Sequence, residues 1–147
     1  MKKESIKPKV VLDTKPLIKL FAQEEDWDIV QKILAKIESD EIEAAICVIT
    51  LTEIYYKYVQ EKRPDLAKER IQAIRYAIYL KKLEINEETA VKAGEFKGKY
   101  GISIADALIA ATAYFEGAIV VSDDPDYKKI LEIKTLTEKE LNAKLDQ

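Results

Sequence analysis

Histidine is absent from this 147-residue chain, and cysteine occurs once, as Cys47. The first absence removes every mechanism that needs an imidazole base and every His-ligated zinc site. The second removes an internal disulfide framework and a structural zinc site. Glycine and proline are scarce, four of each, and there is no Gly/Ser-rich linker, repeat or low-complexity tract. No apolar run approaches the ~20 residues of a membrane span. The opening stretch MKKESIKPKV is basic but lacks the apolar segment of a secretory signal. There is no cationic excess either, since 24 Lys and Arg face 27 Asp and Glu. The chain as a whole is therefore not a basic nucleic-acid binder, although local patches are not excluded. Any hydrolytic chemistry must rest on carboxylates, hydroxyls, lysines or a hard metal ion.

What remains is a charged chain with a large apolar share, 35% and 48% of its residues. That length and composition fit one soluble domain, 1–147, with its core at about 9–136. A reducing cytoplasm is the expected setting. Cys47 lies in the apolar run AAICVIT and reads as an inert core thiol. Abundant Lys, Glu and Ile resemble the ion-pair-rich composition of heat-adapted proteins.

Apolar periodicity alternates between strand and helix. KVVLD (9–13), EAAICVI (43–49) and AIVVSDD (118–124) read as buried strands; KLEI (82–85) and EIKTL (132–136) read as weaker ones. Thr14 is expected to cap a helix through PLIKLFA, with Pro16 in its first turn. DWDIVQKILAKIES (26–39) has helical spacing, and Trp27 is expected to anchor it in the core. Thr50 or Thr52 is expected to cap a helix through EIYYKYVQEK. Further helices are expected from Pro64 to Leu80, over 86–101 capped by Asn86, over 103–116 capped by Ser103 and stopped by Gly117, at PDYKKIL, and over 137–145. Strands without a polar face, alternating with helices, predict an α/β fold with a mostly parallel central sheet of four to five strands covered on both sides.

In such folds, ligands gather beyond the carboxyl ends of the strands. Four acids are placed there. Asp13 closes the first strand, and Asp124 follows the last strong one. Glu53 and Asp106 lie in the first turns of apolar helices. Each has a local explanation: Asp13 as a helix cap, Glu53 in a capping box with Thr50, Asp106 in one with Ser103, and Asp124 as a turn residue. Asp106 is the least comfortable, because an unpaired carboxylate in an apolar interior costs on the order of tens of kcal/mol in the idealised limit. Convergent carboxylates also repel one another, so one must hold a proton unless a cation is shared. Mg²⁺, with Mn²⁺ accepted in its place, takes such an oxygen donor set without histidine. A divalent ion there would acidify a water and steady charge on a phosphodiester.

At VVLDTKPLIKLF, CVITLTEIYYKY, ISIADALIAATAY and AIVVSDDPDY the chain resembles the PIN-domain ribonucleases, most nearly the VapC-like toxins of toxin–antitoxin pairs. The resemblance covers about 9–136. It implies a PIN-like three-layer α/β/α fold and a metal-dependent endoribonuclease acting on single-stranded or structured RNA, leaving 5′-phosphate and 3′-hydroxyl ends. Carried over residue by residue, it makes Asp13, Glu53, Asp106 and Asp124 the catalytic metal ligands. Asp126, Thr14 and Ser122 become auxiliary positions. The spacing Ser122-x-Asp124-x-Asp126-Tyr127 favours Asp124 over its neighbour Asp123 as ligand. Lys15 stands where a small polar residue is frequent, and its ammonium would either pair with a site carboxylate or grip a phosphate. The resemblance also implies a homodimer and a VapB-like antitoxin protein as partner, with no membrane association. The alternatives are a housekeeping RNA-processing nuclease and a non-catalytic RNA- or protein-binding module of the same fold. The tyrosines at 55–58 read as base-stacking, core or subunit-interface residues.

Overall fold

The computed structural model describes residues 7–146; the basic stretch at 1–6 lies outside them. Five strands form one sheet in the order β3-β2-β1-β4-β5, and every pairing is parallel. They are β1 (Lys9–Leu12), β2 (Glu43–Cys47), β3 (Leu80–Leu83), β4 (Ile119–Val121) and β5 (Thr135–Leu136). Parallel strands need crossovers, and helices supply them. Those are α1 (Thr14–Ala22), α2 (Trp27–Glu38), α3 (Ile49–Gln60), α4 (Pro64–Tyr76), α5 (Glu87–Tyr100) and α6 (Ile104–Glu116), with a short 3₁₀ helix at Pro125–Lys129; α7 (Glu138–Leu145) follows the last strand.

Side chains alternate across the central strand and divide the core in two. Val10 and Leu12 join Leu17, Ile33, Ile54, Tyr58, Ile74 and Leu141 on one face. Val11 joins Cys47, Phe96, Ile109, Val120 and Tyr127 on the other. The result is a three-layer α/β/α sandwich, as expected. In α6 the fully buried residues include Ala107, Ala110, Ala111 and Ala113, and these small side chains let the helix pack closely between α5 and the sheet. Gly117 ends α6 in the left-handed region, φ 60°, where a Cβ is disfavoured. The N–H of Ala118 then reaches back to the carbonyl of Ala113 at 3.0 Å, satisfying an otherwise orphaned acceptor.

The chain lays β2 and β3 on one side of β1, then recrosses through α5 and α6 to lay β4 and β5 on the other. The strand order reverses between β1 and β4, and their carboxyl ends open a crevice at that point.

Several boundaries differ from the sequence expectation, each for a local reason. Asp13, not Thr14, is the N-cap of α1; its carboxylate accepts from the Thr14 N–H. Neither Thr50 nor Thr52 caps α3, which begins at Ile49 behind an uncapped Val48. The apolar run 43–49 therefore divides into a strand and the buried start of a helix, and composition cannot mark that division. For the same reason Glu53 falls in the second turn of α3. The third strand sits earlier than 82–85, because Leu80 is the residue that pairs with Ala44 and enters the core; α4 accordingly stops at Tyr76. The strand at 118–124 is paired only over Ile119–Val121, and PDYKKIL is 3₁₀ over its first five residues. Trp27 is half-buried and belongs to neither apolar cluster, since it opens α2 at the surface junction with α1.

Candidate metal centre

Asp13 leaves the end of β1 almost fully buried, at 3% exposure. Three donors meet its carboxylate. The Thr14 N–H and the Tyr127 hydroxyl reach Oδ1 at 2.8 and 3.0 Å, and the Ser122 hydroxyl reaches Oδ2 at 2.7 Å. Burial nevertheless holds its pKa above the ordinary carboxylate value, with the Glu53 charge adding to the rise and the three hydrogen bonds opposing it.

Asp106 is placed by the cap of α6: its N–H donates to Ser103 Oγ at 3.1 Å. That fixes the first turn, and the half-buried carboxylate reaches Tyr127 Oη at 3.0 Å. Burial raises its pKa most, then the charge of Asp13; Asp124 contributes further. Glu53 accepts from the Thr14 hydroxyl at 2.6 Å, and Thr50 Oγ1 lies 3.0 Å from the same hydroxyl. Burial raises the Glu53 pKa, the Thr14 hydrogen bond opposes this, and the Asp106 charge adds to it. Thr50 thus serves the site side chain to side chain, and not as a helix cap.

Beyond β4 the chain folds back on itself. Ser122 Oγ accepts from the Asp124 N–H at 3.0 Å while donating to Asp13. Asp124 Oδ1 accepts from the Asp126 N–H at 2.9 Å, capping the 3₁₀ helix. These bonds turn Asp124 and Asp126 toward Asp106, and one carboxylate oxygen from each of the three lies within 4.8 Å of the others. Asp123 turns the other way and pairs with Lys19. Lys15 Nζ stands 3.7 Å from Asp124, and Lys129 stands 2.8 Å from Asp126.

The eight residues singled out in the sequence therefore share one region at the carboxyl ends of β1 and β4. Asp106, Asp124 and Asp126 form its tightest group. Asp13 reaches Asp106 through Tyr127, and Glu53 is set beside Asp13 by Thr14. Tyr127 carried no role in the sequence beyond its place in the spacing pattern, yet it is fully buried and bridges two acids. A Tyr hydroxyl has one proton, so it donates to only one carboxylate. The second contact is repulsive unless the other acid is protonated or the pair shares a cation. Carboxylates of raised pKa, an all-oxygen donor set and no thiolate or imidazole nearby fit a hard divalent ion. Other features lie apart. A cleft of about 630 Å³ lined by Lys7, Ile37, Asp40, Glu43, Ile78 and Tyr79 opens at the amino ends of the strands, away from the Asp13–Asp106 group.

Of the tyrosines at 55–58, Tyr58 is buried in the core while Tyr55 and Tyr56 are exposed. Cys47 is a buried free thiol. Among the described residues, no helix is long and apolar enough to cross a membrane.

Residues 10–132 match the family model of the PIN domain. No curated protein matches the chain by sequence. Similar solved structures include VapBC from Salmonella typhimurium bound to DNA, at 19% identity and TM-score 0.70, covering 89% of this chain and 98% of that one. VapBC2 from Rickettsia felis, bound to a promoter DNA fragment, gives 19% identity and TM-score 0.69 over 88% and 98%. PAE2754 from Pyrobaculum aerophilum gives 18% identity and TM-score 0.66 over 96% and 98%. At such identities these likenesses concern the fold.

Proposed function

The chain belongs to the PIN domain family, and from that premise we propose that it is a metal-dependent endoribonuclease, the toxin of a VapBC-type pair. The observation that carries the reading is the convergence of Asp13, Asp106, Asp124 and Asp126 on and around one tyrosine hydroxyl. Asp106, Asp124 and Asp126, with Asp13, would hold Mg²⁺ or Mn²⁺, and Glu53 stands beside them. Such an ion, when bound, supplies Lewis acidity at a phosphodiester oxygen and a more acidic water.

The chain's own residues do the rest. Ser122 and Tyr127 fix both oxygens of Asp13, so that its carboxylate cannot rotate away. Thr14 fixes Glu53, whose carboxylate, made more basic by burial, is placed to accept a proton from an attacking water. Water then adds to phosphorus and the P–O3′ bond breaks. The leaving oxygen takes up a proton, giving 5′-phosphate and 3′-hydroxyl ends. Lys15 and Lys129 border the acids and supply positive charge where an RNA backbone would enter.

Two of the similar solved structures, from Rickettsia felis and Salmonella typhimurium, are VapBC assemblies, which supports a VapB-like antitoxin as partner. A homodimer and a cytoplasmic setting belong to the same reading. Purified protein incubated with single-stranded RNA should cleave it with Mg²⁺ or Mn²⁺. EDTA should abolish cleavage, and Asp106→Asn should lower it by about a hundredfold or more. Cleavage that survives both treatments overturns the reading.

A further inference from the structure

Lys19 lies on α1, five residues past Thr14, and its ammonium is largely withdrawn from solvent, the side chain being 17% exposed. It makes two ion pairs. One goes to Asp123, in the turn between Ser122 and Asp124; the other goes to Glu138 at 3.1 Å, at the first position of α7. The Glu138 side chain is 2% exposed. A single cation thus ties together the helix that begins at the site, the turn that carries Asp124, and the C-terminal helix.

Backbone bonds also tie the turn down at its ends, from the Ser122 N–H to the Leu136 carbonyl at 3.0 Å and from the Tyr127 N–H to the Asp124 carbonyl at 3.4 Å. Ser122 Oγ takes the Asp124 N–H, and Asp124 takes the Asp126 N–H. Both bonds lie on the site side. On the opposite side Asp123 anchors the turn, held by Lys19 and by the Glu138 carboxyl beside it. Consecutive side chains must point to opposite sides for Asp124 to face Asp106 while Asp123 faces α1. A released Asp123 would let the turn rotate and compete for the position of Asp124.

We propose that Lys19, braced by Glu138, is a positioning residue for the metal centre: by clamping Asp123 it holds the turn in the rotation that presents Asp124 to Asp106 and Asp126. This rests on the reading of Asp124 as a ligand. Nothing reacts at Lys19; it acts through the backbone on either side of Asp123.

Two measurements on the full chain test it. Calorimetric titration with Mn²⁺ should show Lys19→Met weakening affinity about 10–100-fold, and Lys19→Arg restoring most of it. Hydrogen exchange in metal-free protein should be faster at the Asp124 and Asp126 amides in Lys19→Met, and unchanged at Val120. A purely structural lysine would lower the melting temperature and leave Mn²⁺ affinity alone. A folded Lys19→Met with wild-type affinity and exchange overturns the clamp. If Lys19→Met does not fold, Asp123→Asn takes its place, and wild-type exchange in that variant overturns the clamp equally. Should wild-type protein fail to bind Mn²⁺, the metal reading falls. The exchange comparison, which needs no metal, still decides the clamp.

Discussion

The Tyr127 hydroxyl stands 3.0 Å from an oxygen of Asp13 and 3.0 Å from an oxygen of Asp106. One proton cannot serve two anions. Asp13 already holds two further donors, so it is the better acceptor, and Asp106 is the acid left to carry a proton or meet a cation. Both acids have raised pKa values, chiefly through burial. Their protonated forms therefore persist above the ordinary carboxylate range, and cation binding must displace protons. Mn²⁺ affinity should therefore rise with pH as these acids ionise, over a range above that of ordinary carboxylates. Titrations in buffers of differing ionisation enthalpy should report proton release at the lower end. Equal affinity across that range would show that the acids bind no excess proton.

Tyr127→Phe removes the shared donor and leaves the two carboxylates facing across an apolar edge. The protein should lose about 1–3 kcal/mol of stability, the cost of stripping a buried acceptor of its donor. Urea unfolding measures this. Cleavage should fall as well, because Asp13 loses one of the bonds that fix its rotation.

Thr14→Val keeps the shape and removes the hydroxyl that holds Glu53 at 2.6 Å. Glu53 then swings freely, and its pKa rises further, because the hydrogen bond was what opposed burial. Cleavage should fall about tenfold, with its pH profile displaced upward. An unchanged profile would separate Glu53 from the proton-transfer step.

Lys15→Ala removes a cation that competes for Asp124. Its ion pair is solvent-exposed and worth only about 0.2–1 kcal/mol. Mn²⁺ binding should tighten by no more than about fivefold, while RNA binding weakens. Tighter metal and weaker RNA in one variant would assign Lys15 to the phosphate. A loss of metal affinity would contradict this.

Glu138 titrates apart from the acids around Tyr127. Burial, with Asp123 beside it, pushes its pKa from 4.5 up to about 7. Lys19 opposes that rise, and Lys139 acts on Asp123 from the same helix. A carboxyl with a raised folded pKa contributes stability below its unfolded value and loses it as pH climbs through the folded one. Stability should therefore fall from about pH 4.5 to about pH 7. Glu138→Gln, a permanent donor toward Asp123, should flatten that slope in urea melts at successive pH values.

The α/β class and the gathering of acids were legible because both follow from short-range pattern. Apolar runs that end in carboxylates mark strand ends, and a parallel sheet puts all such ends on one edge. The order of strands was not legible: nothing in the segments 80–83 and 119–121 says which side of β1 each will take. Nor was the role of Thr50, since a threonine before an apolar helix has the same signature whether it caps the backbone or turns to a distant hydroxyl. Tyr127 and Lys19 were missed for a related reason. Their partners, Asp13 for one and Glu138 for the other, lie more than 100 positions away, and a single chain carries no local mark of such a meeting.

Asp13 and Ser122 are separated by 109 positions yet share one hydrogen bond. A ribosome finishes the first long before it reaches the second. The nascent chain therefore carries its acids apart until synthesis has passed Tyr127 and the fourth strand has slotted in beside the first. Fragments that stop short of that point hold no assembled centre.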